Sequence, residues 1–164
     1  MLVVSDTSPI CNLACIGRLQ LLRSQFGTVC IPPAVKAELA DLPAAMGGAA
    51  VEEALREGWI SVRPVEKPEL ANLLARELHQ GESEALALAT QLAADLVLLD
   101  EREARRVAQR LHLRVTGTLG VLLRAKYSGA IPSLTAEINA LRAKAGFFIS
   151  TELEHRILRE AGER

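Results

Sequence analysis

The sequence predicts an α/β fold, a three-layer α/β/α sandwich built on a parallel sheet of about four or five strands, and three observations carry that expectation. The strand-like segments are continuous apolar runs, among them Leu2 to Val4, Thr28 to Ile31 and Leu96 to Leu99, which is how strands read when both sheet faces are covered. Each run passes directly into helix-start signals, as repeated strand–helix units require. Aromatic residues make up only 3% of the 164, so Leu, Ala, Val and Ile must fill the core, a composition suited to helices packed on a sheet.

The elements follow in order. Leu2 to Val4 forms the first strand, and Asp6-Thr7-Ser8-Pro9 then supplies capping residues and a proline suited to a first helical turn. Thr28 to Ile31 is the second strand, stopped by Pro32-Pro33, and Ala34 to Leu42 has helical spacing. Ala49 to Glu57 reads as a short helix closed by Gly58, followed by a strand over Trp59 to Arg63. Helices are expected over about Glu69 to His79 and Glu82 to Ala94, separated at Gly81, before the strongest strand, Leu96-Val97-Leu98-Leu99-Asp100. Glu101 to Leu111 is helical, Leu113 to Thr116 a short strand, Gly117 to Tyr127 a helix, and another helix starts at Ile131-Pro132-Ser133 and runs to about Lys144. Thr151 and Glu154 form a capping-box pattern for a last helix, about residues 151 to 161, with Leu153, Ile157, Leu158 and Ala161 on one side. Length and the lack of a linker or repeat predict one domain over residues 1 to 164, with the last helix packed on it or at an interface.

Bulk charge excludes a global pull toward nucleic acid: 19 basic and 20 acidic residues leave −1, so any RNA contact is local. Cys11, Cys15 and Cys30 lack a second cysteine pair at metal spacing and read as reduced, buried thiols. No apolar run approaches the ~20 residues that span a bilayer, and the amino terminus has no leader pattern, so a cytoplasmic location is expected.

The chemistry-bearing residues are carboxylates in unusual places. Ligands of open α/β sheets bind beyond the carboxyl ends of the strands, where Asp6 and Asp100 fall, although either Asp alone also suits a helix N-cap. Val35, Leu39 and Leu42 form an apolar stripe, and Glu38 occupies a slot of that stripe. Glu84 lies four residues before Leu88 on the buried side of an Ala/Leu-rich helix. Pairing of Glu38 or Glu84 with an arginine at the rim is the competing account. Two carboxylates about 4 Å apart repel by roughly 1 kcal/mol in water and roughly 4 near a protein surface, so converging acids call for a cation. An all-carboxylate set with no cysteine or histidine cluster suits hard ions, Mg²⁺ or Mn²⁺, which can activate water and stabilise phosphodiester charge.

An ordered set of segments extends over nearly the whole chain: Val3-Val4-Ser5-Asp6-Thr7-Ser8-Pro9, Ile31-Pro32-Pro33-Ala34-Val35-Lys36-Ala37-Glu38-Leu39, Gly81-Glu82-Ser83-Glu84-Ala85-Leu86-Ala87-Leu88-Ala89, Leu98-Leu99-Asp100-Glu101, Val115-Thr116-Gly117-Thr118-Leu119-Gly120 and Gly146-Phe147-Phe148-Ile149-Ser150. With these the sequence resembles the PIN-domain ribonucleases, and within them a PIN-like, toxin-type branch. The resemblance implies that Asp6, Glu38, Glu84 and Asp100 are catalytic, metal-binding acids holding one or two Mg²⁺ or Mn²⁺ ions for cleavage of RNA. It further implies that Thr7 or Ser8 orients Asp6, that Asn12 faces the site, and that Thr116 or Thr118 lies nearby. A homodimer and an antitoxin protein that covers the acidic site are implied in the same way. In many relatives the last acid stands two residues beyond its strand. Here Asp100 ends the run itself and Glu101 and Glu103 follow, so three acids share that ligand position, and Glu82 competes with Glu84.

Arg102, Arg106 and Arg110 recur every four residues beside this region, fit either for RNA phosphates or for a solvated helix laced with ion pairs. His79, His112 and His155 share no ligand spacing and receive no role, and the aromatic residues form no stacking platform. A receiver-type phosphoacceptor is excluded because the third strand ends in Val62-Arg63-Pro64, and a DxD phosphatase because Ser8 holds the second acid's place.

Overall fold

A computed structural model describes residues 1–163. Five parallel strands form one sheet in the order β3-β2-β1-β4-β5, with β1 Val3–Ser5, β2 Val29–Ile31, β3 Ile60–Val62, β4 Leu96–Leu98 and β5 Val115–Thr116. Val3 pairs with Val29 on one side and with Leu96 on the other. The chain therefore adds strands on one side of β1 and then reverses to the other, leaving a crevice beyond the carboxyl ends of β1 and β4.

Alternation of side chains across the strands divides the core into two layers. Val3, Val29, Ile31, Ile60 and Leu98 face one cluster, which also contains residues of α1 (Thr7–Cys15), α2 (Gln20–Phe26), α3 (Pro33–Leu39), α4 (Gly48–Glu57), α8 (Thr118–Tyr127), α9 (Leu134–Ala140) and α10 (Thr151–Glu160). Val4, Cys30, Val97 and Leu99 face the other, packed under α5 (Pro68–Leu74), α6 (Gln80–Gln91) and α7 (Arg102–Arg110). This is the three-layer architecture that the continuous apolar runs predict.

Several boundaries differ from expectation for local reasons. Helix α2 is not among the elements the sequence predicts, although Leu19, Leu22 and Phe26 are spaced for one apolar face and Gly27 closes it at φ 77°. Helix α6 begins at Gln80 because His79 caps it and Glu82 Oε1 accepts from the His79 amide at 3.1 Å, so Gly81 lies inside the first turn instead of separating two helices. The helix expected from Ile131 to Lys144 starts at Leu134, capped by Ser133, and its end widens into a π-helical turn over Leu141–Ala145, stopped by Gly146. The cap of α10 is Ser150, whose hydroxyl accepts from Leu153, while Glu154 pairs with Arg142. Ile157 and Leu158 of α10 are buried in the larger core cluster.

Candidate active site

Backbone bonds bring the strand ends together before any side chain acts. The Asp6 amide donates to Leu98 O at 3.0 Å and the Leu99 amide to Thr116 O at 2.9 Å, so the residues following β1, β4 and β5 form one rim. Beyond it opens a cavity of about 430 Å³ lined by Asp6, Thr7, Ser8, Glu38, His79, Glu82 and Glu101.

Asp6 is only 3% exposed and supplies the N-cap position of α1. Burial pushes its carboxyl up to about 7; the Thr7 backbone amide opposes this, and the charges of Glu82, Glu38 and Asp100 add to it. Glu38 comes from α3, where its carboxylate accepts from the Thr7 hydroxyl at 2.6 Å. It fits there because residue 81 is glycine: a Cβ at Gly81 would lie 3.0 Å from Glu38 Cδ and 3.1 Å from Oε2, and closer still to Oε1. Glu82, 6% exposed in the first turn of α6, is likewise raised by burial and by the charges of Glu101 and Glu38, against the lowering effect of His79.

Asp100 and Glu84 are placed differently. Strand β4 ends at Leu98, so Asp100 stands two residues beyond it instead of at its end. Its Oδ1 accepts from the Thr118 amide at 2.7 Å, and its Oδ2 from the Thr118 hydroxyl at 2.7 Å and Asn12 Nδ2 at 2.9 Å. A side chain at Gly117 would collide with this carboxylate, since its Cβ would lie 2.6 Å from Oδ1. Asp100 thus borders the rim, near enough to raise Asp6, while Glu101 enters the cavity lining. Glu84 accepts from the Ala34 amide at 3.1 Å and from Gln80 Nε2 at 3.2 Å, and it does not line the cavity. The reason lies in Pro32-Pro33: neither has an N–H, so Ala34 carries the first donor of α3, and Glu84 satisfies it.

Of the other predicted residues, Thr7 and Ser8 line the cavity, and Thr7 bonds Glu38 where an orienting role toward Asp6 was expected. Asn12 and Thr118 hold Asp100, whereas Thr116 lies against Gly120 on the far side of β5. On α7, Arg106 pairs with Glu103 at 3.4 Å and Arg110 with Glu77 at 3.0 Å, while no carboxylate among the described residues pairs with Arg102. His79, given no role from sequence, lines the cavity; its signal was the N-cap position ahead of Gly81-Glu82, which spacing rules for metal ligands do not test.

Among the described residues no three His, Cys, Asp or Glu side chains are gathered tightly enough to clasp a metal ion. The acids ring the cavity, and no basic side chain among the described residues forms an ion pair with Asp6, Glu38 or Glu82. The thiols are free, and Cys11 is pushed up to about 11 by burial and then by Cys15, Glu38 and Asp6. No helix among the described residues is long and apolar enough to cross a membrane.

No curated protein and no solved structure matches the chain significantly. A family profile described as PIN domain matches residues 2–163, which takes in the whole sheet and every acid of the cavity. The chain belongs to the PIN-domain family, whose members are generally nucleases acting on RNA with divalent metal ions.

Proposed function

We propose that this PIN domain is a metal-dependent endoribonuclease that hydrolyses RNA phosphodiesters with Mg²⁺ or Mn²⁺. The observation that carries the reading is an acid cluster with no ion-pair partner among the described residues: buried Asp6, pushed up to about 7, faces Glu38 and Glu82 in one cavity at the switch point of the sheet. The donor set is all oxygen, as hard divalent ions require. Asp6, Glu38 and Glu82, which ring the cavity without clasping a metal site, would draw in to hold the ion, with Glu101 and Asp100 at the rim; we assign the third acid to Glu82 in place of Glu84, whose carboxylate is engaged with α3. When bound, the ion supplies charge neutralisation at the phosphodiester and an activated water. The chain's own groups orient the acids: Thr7 fixes Glu38, and Thr118 with Asn12 fixes Asp100. Arg102, in the first turn of α7 after Glu101, contacts RNA phosphate, with Arg106 contributing after release from Glu103.

The role of toxin in a toxin–antitoxin pair, an antitoxin protein over the acidic cavity, a homodimeric state and cytoplasmic action rest on the family resemblance and complete this reading. The three donors that hold Asp100 favour a second reading, a catalytically inactive PIN fold that binds RNA or regulates. Calorimetric Mn²⁺ binding measured beside an RNA cleavage assay separates the two. Wild type is expected to bind and cleave, and Asp6→Asn and Glu82→Gln to do neither. Binding without cleavage supports the inactive protein, and no Mn²⁺ binding by wild type would overturn the proposed site.

A further inference from the structure

A second cavity, of about 230 Å³, lies against the edge strand β5, away from the acids. Its walls come from α2 (Gln25, Phe26), the start of β4 (Asp95, Leu96), β5 with Arg114 before it, and α8 (Gly120, Val121, Arg124). We propose that this cavity binds a single ribonucleoside phosphate unit, with the phosphate on Arg114 and Arg124 and the base against the Arg124 guanidinium. Both arginines are exposed, and neither pairs with a carboxylate among the described residues. Asp95, the acid in the lining, is engaged by the Leu2 amide at 2.6 Å. Arg124 Cζ stands 6.0 Å from the centroid of the Phe26 ring, so the aromatic side chain backs the guanidinium, which stacks on bases as well as pairing with phosphate.

Polar groups for a base edge are present. The Thr116 hydroxyl lies over Gly120, where any side chain would collide with it. Gln25 Nε2 donates to Val121 O at 2.9 Å, which fixes the amide and leaves Gln25 Oε1 buried without a donor. The volume is below the roughly 300–1,000 Å³ of pockets that enclose drug-sized ligands, so one partly enclosed nucleotide fits and a dinucleotide cofactor does not. The same chemistry is offered by a free mononucleotide or by one residue of an RNA strand.

The test is calorimetry in EDTA, which keeps divalent ions from the acid cavity, with the four 5′-ribonucleoside monophosphates, inorganic phosphate and adenosine as probes. At least one monophosphate is expected to bind at least tenfold more tightly than either phosphate or adenosine. Arg114→Ala and Arg124→Ala should each lose about tenfold or more, Arg124→Lys should keep phosphate binding but lose the preference for nucleotide, and Glu38→Gln and Arg63→Ala should bind as wild type. A 2′-O-methyl hexanucleotide that competes assigns the unit to an RNA strand, and one that does not assigns it to the free nucleotide. Failure of all four monophosphates, or unchanged binding by the Arg114→Ala/Arg124→Ala protein, overturns the proposal.

Discussion

Replacing Gly81 by alanine should separate activity from stability. Gly81 is in the first turn of α6 without a positive φ, so alanine suits the backbone and should gain about 0.5–1 kcal/mol of helix stability. The added Cβ would meet the Glu38 carboxylate, the flexible end of a side chain, with Cδ at 3.0 Å, Oε2 at 3.1 Å and Oε1, the closest of the three, well inside those distances. Restoring ordinary contacts of about 3.5 Å requires that carboxylate to move by roughly 1 Å. The move strains or breaks the bond from the Thr7 hydroxyl, worth about 1 kcal/mol, which offsets the helix gain. Net stability should therefore stay within about 1 kcal/mol, a melting shift of no more than about 4 °C for a chain of this size. An error of about 1 Å in a catalytic group costs on the order of 100-fold in rate. Thermal melts and Mn²⁺-dependent cleavage of a labelled RNA, run on Gly81→Ala, Glu38→Gln and the double variant, check this. The double variant should be no slower than Glu38→Gln, because both changes act on one carboxylate. Wild-type rates in Gly81→Ala would refute the role of Glu38, and a melting loss of many degrees would show that the backbone yields instead of the side chain.

Glu82→Gln should abolish cleavage while leaving the fold as stable as wild type or more so, whereas Glu84→Ala should lose about 1 kcal/mol through the open N-terminus of α3; equal loss of cleavage with no melting change in Glu84→Ala would reverse the assignment. Asp6 is raised from 3.8 to about 7, so the folded state holds a proton that the unfolded state has released, and stability falls as pH rises through that window. Asp6→Asn should therefore be more stable than wild type above pH 7 without metal, by on the order of a few kcal/mol in denaturant unfolding, with the gain vanishing below about pH 4; a constant gain at all pH values would contradict it. Burial raises Glu163, but the Thr135 hydroxyl and amide, the Leu134 amide and Lys126 outweigh it and lower the carboxyl from 4.5 to about 2. Its contribution is complete above about pH 4.5 and is lost as pH falls toward 2, so acid should lower the melting temperature of Glu163→Gln less than that of wild type.

The order of strands and helices was legible because it rests on local physics. Continuous apolar runs, the Pro32-Pro33 stop after a strand and Gly58 at a helix end act within a few residues, and each appears in the structure near its expected place, Pro33 itself becoming the first residue of α3. Asp6 was legible as the residue closing a buried strand, whereas Glu38, expected inside an apolar stripe, stands exposed beside buried Val35 and Leu39 and reaches the cavity from there. The spacing of Glu84 to Leu88 favours Glu84 over its competitor Glu82, yet both fall in the first turns of α6 and their facing depends on what packs against them. Tertiary contact decided it: the Pro32-Pro33 pair leaves the Ala34 amide without a helical partner, and that donor, fifty residues away in sequence, draws Glu84 to α3 while Glu82 turns to the cavity. The same holds for Gly81 and Gly117. Nothing local demands glycine there: the Glu38 carboxylate approaches Gly81 from α3, and the Asp100 carboxylate with the Leu99 carbonyl crowds Gly117.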